Sequence, residues 1–220
     1  MKTWTMIAVL LGGLGALAQA APVALDITNP GFDDDVLAPG GYTTGGCAGW
    51  TQFQGLTGCQ YAGAGLPALS GNNVAFLSNH QVGYSGMYQT LKVDGSALSV
   101  VEGGVIDLSL YQGHRSDYQP GVTQEFSIQL WRDEIGGSGT KIYDTGTLGS
   151  VADGTWVERQ ISYTATASDV GKDILLLLWS NTASQVCLED VSGTYDVPEP
   201  ATMSLLALGG LGVLIRRRKR

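Results

Sequence analysis

Apolar and polar residues alternate along the middle of this 220-residue chain, and the alternation restricts the fold more than any other feature. Period two with one apolar face is typical of strands in antiparallel sheets that pack on a single side. Four segments follow this pattern, with these apolar members: Met87, Leu91 and Val93; Ile106, Leu108 and Leu110; Phe126, Ile128 and Leu130; and Val157, Ile161 and Tyr163. Residues 73–78 and 174–179 are more continuously apolar, which predicts central strands.

Glycine-containing turns separate these segments, as at 93–96, 136–139 and 152–154. No segment between residues 21 and 196 has sustained helical periodicity. We therefore predict an all-β fold of eight to ten strands, arranged as a β-sandwich of the jelly-roll type. About 176 residues form one domain and are enough to bury a core.

The first twenty residues have the three parts of a secretory signal peptide. Lys2 supplies the positive start, residues 6–17 are apolar, and Ala18-Gln19-Ala20 is a small-x-small cleavage site. The alternative is an uncleaved N-terminal anchor, but the cleavage site and the polar residues after it argue against one. We predict a signal peptide over 1–20, with the mature protein beginning near Ala21.

The chain ends in Pro198-Glu199-Pro200, a mainly apolar stretch over 201–215, and the cations Arg216, Arg217, Arg218, Lys219 and Arg220. Fifteen helical residues span about 22 Å, which is short of the ~30 Å hydrocarbon core of a bilayer. Five cations favour a cytoplasmic position for that end. The segment 197–220 therefore looks like a sorting signal rather than a working transmembrane domain.

These three parts, in this order, closely resemble the PEP-CTERM sorting signal of Gram-negative bacteria. The resemblance implies processing by an exosortase, a membrane-embedded enzyme, near Pro198-Glu199-Pro200. It also implies transient insertion of the short hydrophobic helix into the inner membrane, followed by release to the cell surface or the extracellular space.

The exported body over 21–196 is strongly acidic. It holds 6 of the 12 basic residues and 19 of the 20 acidic ones, a net charge of about −13. Such a body repels phosphate backbones, so nucleic acid is not an expected partner. Solubility outside the cell, cation binding and neutral partners all remain compatible with this charge.

Cysteine use agrees with export. Cys47 and Cys59 are twelve residues apart and are predicted to form a disulfide in an oxidising compartment. Cys187 is then a buried thiol or an intermolecular partner. A zinc site is poorly supported, because the chain has no Cys-x-x-Cys and neither His80 nor His114 has ligand-like spacing to a cysteine.

A second resemblance spans most of the body. The sequences Asn29-Pro30-Gly31-Phe32-Asp33, Gly49-Trp50 and Leu188-Glu189-Asp190-Val191-Ser192 resemble the opening and closing motifs of galactose-binding-like jelly-roll domains. That group includes many carbohydrate-binding modules. The resemblance implies a structural calcium ion held by Asp33 with Glu189 or Asp190, and carboxylates are ligands that calcium prefers. The alternative is that the aspartates cap a strand and solvate a loop.

Sugar binding requires exposed aromatic rings, because pyranose rings stack on flat apolar faces. Tyr111 and Trp131 fall on the polar-alternating faces of their strands, and Tyr84 and Tyr118 lie in loop-like stretches beside amide residues. We take these four as candidate glycan-binding residues. The alternative for each is an ordinary strand-surface position, and Trp50 is expected in the core.

Catalytic motifs are weak. Gly83-Tyr84-Ser85-Gly86-Met87 fails the nucleophile-elbow pattern at its last position. His80 and His114 are interpreted as surface or turn residues, and residues 135–141 as a hairpin turn rather than a phosphate loop.

We therefore predict a non-catalytic exported protein that acts structurally or by adhesion at the cell surface or in the extracellular matrix. The alternative is a carbohydrate-binding module for extracellular polysaccharide, and a second alternative is a small surface hydrolase.

Overall fold

The computed structural model describes residues 21–78, 83–181 and 185–198, so the predicted signal peptide and nearly all of the sorting segment lie outside the described residues. Within those ranges the chain forms thirteen strands and one short 3-10 helix over Ala167–Asp169. The strands are β1 (Val23–Ala24), β2 (Thr51–Gln54), β3 (Leu56–Tyr61), β4 (Asn73–Ser78), β5 (Ser85–Thr90), β6 (Lys92–Val93) and β7 (Ser96–Ala97). They continue with β8 (Val105–His114), β9 (Phe126–Arg132), β10 (Thr140–Asp144), β11 (Thr155–Thr164), β12 (Ile174–Ser180) and β13 (Val186–Asp196).

Two antiparallel sheets carry the fold. The first has the order β11-β8-β13-β4-β3, with β1 added beside β13, and the second has the order β10-β9-β12-β5-β2. A small hairpin joins β6 to β7. The all-β prediction is confirmed, and the strand count exceeds eight to ten because three of the elements are only two residues long.

The apolar faces predicted by alternation meet between the two sheets. Ile106, Leu108 and Leu110 of the first sheet and Ile128 and Leu130 of the second are all at most 3 % exposed and belong to one core cluster. Burying such side chains is the main favourable contribution to folding. Val157 departs from the prediction: it is 39 % exposed, because β11 is the outermost strand of its sheet.

The strands predicted to be central are central. β12 lies in the middle of the second sheet, and β4 lies between β13 and β3 in the first. Trp50 is in the core as expected, with its ring centroid 5.4 Å from that of Phe32.

Within the three described ranges, no helix is both long enough and apolar enough to cross a membrane. The apolar stretch over 201–215, where a short sorting helix is predicted, lies outside them.

Candidate functional site: an aromatic groove on the second sheet

A groove of about 530 Å³ runs over the outer face of the second sheet. Its strand register places the residues that line it. Trp131 pairs with Leu175 and Lys141, whereas Gln129 pairs with Leu177 and Asp144. Because Ile128 and Leu130 point into the core, the residues that alternate with them on β9 point outward.

The floor of the groove is buried although it lies on an outer face. Leu177 is 1 % exposed and Gln129 is 6 % exposed. The side chains that line the groove around Leu177 and Gln129 cover them. This cover on the outer face explains why β12 is apolar at nearly every position. A strand covered on both faces has no need for alternation.

A chain of hydrogen bonds along β9 orients one wall. Trp131 Nε1 donates to Gln129 Oε1 at 2.9 Å, and Gln129 Nε2 donates to Ser127 Oγ at 3.2 Å. A buried amide that is bonded on both sides has one favourable rotamer. The indole of Trp131 is therefore held in position before any ligand arrives.

Three aromatic rings form the opposite wall. The rings of Tyr84 and Trp179 are nearly parallel, with centroids 4.9 Å apart and an interplanar angle of 21°. Phe53 lies on another side of Trp179, with a centroid distance of 5.9 Å. The stacked Tyr84–Trp179 pair and the tilted Phe53–Trp179 pair are both favourable arrangements of aromatic rings.

Gly86 makes this wall possible. It pairs with Trp179, and a Cβ atom at position 86 would lie 3.2 Å from Trp179 Cε3 and 3.1 Å from Leu177 Cδ1. Both distances are tight for carbon atoms in contact. The absent side chain therefore lets the indole lie across β5.

Charged and amide groups complete the lining. Glu125, Lys141, Asp144 and Asn181 line the groove together with the aromatic residues, and Lys141 Nζ donates to Asp144 Oδ2. Flat apolar faces surrounded by a few polar groups are the usual composition of a small-molecule or carbohydrate site.

The four predicted glycan residues divide into two pairs. Tyr84 and Trp131 lie in the same groove. Tyr111 lies on β8 in the other sheet, and Tyr118 lies in a loop beside Arg115, whose guanidinium carbon is 5.9 Å from the ring centroid. The structure therefore does not bring these two tyrosines to the groove.

Sequence reasoning did not single out Phe53 and Trp179. Trp179 shares the spacing of Leu175 and Leu177 on β12, so the apolar run concealed an outward-facing aromatic residue. The signal available in the sequence was the tryptophan at the end of a central strand, beside the polar residues Ser180 and Asn181.

The predicted calcium residues converge on one loop. Asp33 Oδ1 accepts backbone N–H groups from Asn72 and Asn73 at 2.8 and 3.0 Å. The carboxylate of Glu189, which is buried, accepts those of Leu69 and Ser70 at 2.7 and 2.6 Å. The carboxylates of the first and last segments thus hold the loop over 69–73.

A bulge in β13 allows two successive acids to reach this loop. Successive residues of a regular strand point to opposite faces, but the register shifts between Glu189 and Ser192 and Asp190 has φ of 51°. Ser70 Oγ consequently donates to Glu189 Oε1 at 3.2 Å and to Asp190 Oδ1 at 3.0 Å. A Cβ atom at Gly31 would lie 3.4 Å from Ser70 Oγ, 3.6 Å from Asp33 Oδ2 and 3.7 Å from Asp190 Oδ1, so these three oxygen-bearing side chains surround Gly31.

Carboxylate and hydroxyl oxygens are the kind of ligand that calcium prefers. The three carboxylates are more widely spread than Asp35, Cys47 and Cys59, whose possible ligand atoms all lie within 4.8 Å of one another. That tighter group offers no thiolate, because Cys47 and Cys59 form a disulfide. Cys187 is a buried free thiol, and burial raises its pKa to about 12.

The interpretation of His114 as a surface or turn residue is wrong. Its side chain is 1 % exposed at the end of β8, and its Nδ1 lies 2.8 Å from Asp153 Oδ1. His114 continues the inward series of β8 at a spacing of two, so the alternation does indicate its burial. The polar side chain suggested a surface position instead. His80 lies outside the described residues.

Two family models match the chain. The model described as HpiC1 cyclase matches residues 23–196, which is most of the chain. The chain belongs to the HpiC1-like family. The model described as the PEP-CTERM protein-sorting motif matches residues 196–219, which confirms the sorting signal read from Pro198-Glu199-Pro200 and the basic tail. The protein is therefore an exported substrate of PEP-CTERM sorting, a class implied to be processed by exosortase.

Solved structures share the fold of this HpiC1-like protein. The Stig cyclase Fisc from Fischerella sp. TAU, in complex with (3Z)-3-(1-methyl-2-pyrrolidinylidene)-3H-indole, is 18% identical with a TM-score of 0.66 and covers 81% of this chain and 100% of its own. The CBM22-1 xylan-binding domain of Paenibacillus barcinonensis Xyn10C is 16% identical with a TM-score of 0.54, over 83% of this chain and 99% of its own. At these identities the likeness shows the fold alone, and it confirms the β-sandwich fold of the body. Among curated proteins, none matches the chain.

Proposed function

We propose that this HpiC1-like protein is a non-catalytic, exported polysaccharide-binding protein, and that the aromatic groove is its binding site. The observation that carries the proposal is the pairing of two rigid aromatic walls, Trp131 on one side and the Tyr84–Trp179 stack on the other, above a buried amide. This arrangement favours carbohydrate binding over the purely structural or adhesive role expected from the sequence.

The composition of the aromatic groove suits a chain of pyranose rings. Sugar rings stack their apolar faces on indole and phenol rings, and hydroxyl groups bond to nearby amides and carboxylates. Gln129, Asn181 and Glu125 supply such groups along the groove. A preformed site loses little conformational entropy on binding, which favours affinity.

The location expected from the sorting motif is consistent with a polysaccharide ligand. Sorting by an exosortase of a Gram-negative cell, with transient inner-membrane insertion, delivers the body to the surface or the extracellular space. Extracellular polysaccharide is then the proposed partner, and adhesion follows from binding it.

Retention on immobilised polysaccharides tests the proposal. Trp131→Ala should abolish retention or reduce it about tenfold, because stacking on a tryptophan contributes on the order of 1 kcal/mol or more. Tyr111→Ala is the matched control, since Tyr111 lies on the other sheet. Unchanged retention in Trp131→Ala, with an unchanged melting temperature, would contradict the proposal.

A second candidate function is cyclisation of an indole-bearing small molecule. Membership of the HpiC1-like family and the indole ligand of the Fischerella structure favour it. Glu125 and Asp144 would supply acids beside aromatic walls. Cyclisation preserves mass, so turnover is measured by chromatography and NMR, with Glu125→Gln and Asp144→Asn as variants.

The small-hydrolase alternative is tested on the same protein by measuring hydrolysis of esters, glycosides and peptides, with His80→Ala and His114→Ala as variants.

A further inference from the structure

The last strand runs directly into the sorting motif. The match to that motif begins at Asp196, the final residue of β13, and the apolar stretch expected to enter the membrane begins at Ala201. Five residues, whatever their conformation, cover at most about 18 Å. About 6 Å of this length is needed to cross the headgroup layer of a bilayer. In an anchored precursor, Asp196 therefore lies within about 12 Å of the headgroup surface.

Exposed apolar side chains lie around the point at which the chain leaves the sandwich. Val23 of β1 pairs with Tyr195, and the backbone N–H of Val101 donates to the Tyr195 hydroxyl at 2.7 Å. Val23, Val101 and Val197 are 42, 40 and 38 % exposed. Glu102 is exposed beside them, and a charge is costly in hydrocarbon, so this end suits the headgroup layer. We define the tail end of the sandwich as residues 21–24, 101–105 and 194–198.

The aromatic groove extends away from the tail end. β11 finishes beside β8 and β13 at that end, and Asp169 there accepts from Tyr163 of β11 and from Arg132 of β9. Arg132 pairs with Ile174, so β12 begins at the tail end as well. Trp179 is five residues further along β12, about 17 Å from Ile174. The stacked wall of the groove is therefore remote from the membrane segment.

The short connection also decides which face of the body can lie on a bilayer. β13 belongs to the first sheet, whereas the groove lies over the outer face of the second. Packed sheets are about 10 Å apart, and the side chains on the outer face add about 5 Å. With the groove face down, Asp196 would lie about 15 Å above the headgroup surface, beyond the ~12 Å that the connection allows. The groove face therefore cannot lie flat on the bilayer.

We propose that the tail end is the membrane-facing surface of the precursor, and that the anchored precursor already binds polysaccharide because its groove faces away from the bilayer. The second part rests on the proposed polysaccharide binding, whereas the first part does not. Polysaccharide binding then precedes release, and removal of the tail changes the location of the protein and leaves its affinity unchanged.

Fluorescent labels test the orientation without any ligand. The tail-bearing precursor is placed in phosphatidylcholine nanodiscs with a lipid-borne quencher, and one label is attached at Val101→Cys, Thr147→Cys or Val122→Cys. Val101 and Val122 are matched, since each is 40 % exposed, and Thr147 lines the groove. Cys187 is buried and should stay unlabelled. Quenching is expected at position 101 alone. Quenching at position 147, or none at position 101, would overturn the proposal.

Binding to immobilised xylan, galactomannan and hydroxyethylcellulose tests the second part. The same polysaccharides should retain the precursor in nanodiscs and the released protein. Their Kd values should agree within about twofold, because the groove makes the same contacts in both forms. Trp131→Ala should weaken both forms equally, and Tyr111→Ala, on the other sheet, should weaken neither.

The outcomes separate this inference from the proposed function. If the polysaccharides retained the released protein and not the anchored precursor, binding would require release, and the inference would be wrong while the proposed function stood. If they retained neither form, the proposed function would fail and so would the second part. The labels would still decide whether the tail end faces the membrane.

Discussion

At the scale of single residues, Asp169 shows how the fold accommodates a buried charge. Its carboxylate accepts from the hydroxyl of Tyr163 at 2.6 Å, from the backbone N–H and hydroxyl of Thr166 at 2.8 and 2.7 Å, and from Arg132 at 3.3 Å. Burial alone would raise the pKa of Asp169, but these hydrogen bonds and the charge of Arg132 lower it below its usual value of 3.8. Burial and the bond to Asp169 raise the pKa of Tyr163 to about 12.

Tyr163→Phe should therefore destabilise the protein in a pH-dependent way. A hydrogen bond to a charged group contributes about 1.5–3 kcal/mol, so the free energy of unfolding should fall by that order at pH 7. The ionised form of Asp169 stabilises the fold above its unfolded pKa of 3.8, and this stabilisation is lost as pH falls through the lower folded value. The neutral form of Tyr163 stabilises the fold below 10.0, and this stabilisation is lost as pH rises through about 12.

Urea unfolding across this pH range measures both effects. On the acid side, the variant should lose stability at a higher pH than the wild type. On the alkaline side, the free energies of unfolding of the two proteins should converge as pH rises from 10.0 to about 12. Tyr118→Phe is the control, because Tyr118 lies in a loop on a cation–π contact with Arg115. Parallel acid limbs in the variant and the wild type would contradict the argument.

At the scale of elements, the disulfide fastens a long loop to the first sheet. The segment over 41–47 runs beside β3, with Thr43 N donating to the carbonyl of Cys59 and Gly45 N to that of Thr57. The Cys47–Cys59 bond then fixes its end. The segment thereby covers backbone groups at the outer edge of β3 that an exposed edge would leave open to other chains.

Replacing both cysteines with serine should lower the free energy of unfolding by about 3 kcal/mol, because a loop of twelve residues regains its entropy in the unfolded chain. Peptide mapping without reduction should recover the Cys47–Cys59 peptide. Cys187, with its raised pKa and complete burial, should react with thiol reagents only after unfolding. Recovery of a Cys187 bridge would show that the pairing is wrong.

The loop over 69–73 joins the first and last segments, and we propose that calcium strengthens this junction. An ion held by Asp33 with Asp190 or Glu189 binds the folded chain only, so calcium should raise the melting temperature relative to chelator. Asp33→Ala should lose that increase, whereas Asp107→Ala should keep it. Identical melting curves in calcium and in chelator would exclude the site.

At the scale of the whole molecule, the PEP-CTERM motif marks the chain for sorting, and we propose that the sandwich binds polysaccharide. Intact-mass analysis of surface material should find neither residues 1–20 nor the tail over 216–220. We expect processing near Pro198-Glu199-Pro200 to remove the basic tail from the precursor. A mature species that still carried the basic tail would contradict exosortase processing.

Particular residues show where sequence reasoning succeeded. Ile106, Leu108 and Leu110 face the core because period two is a local property of an extended backbone. Trp131 faces outward for the same reason. His114 continues the inward series of β8, but its polarity suggested a surface position, because a polar residue in such a series is buried only if the fold supplies a partner, here Asp153.

The sequence by itself determined the all-β class, the faces of the main strands and the PEP-CTERM sorting signal, because each depends on residues close together in the chain. Only the tertiary structure decided which aromatic residues act together. Trp131 on β9 and Tyr84, which immediately precedes β5, are 47 positions apart in sequence and share a groove because β9 and β5 both pair with β12, whereas Tyr111 is on the other sheet. Strand order arises from packing between distant segments, and alternation alone carries no information about which strands become neighbours.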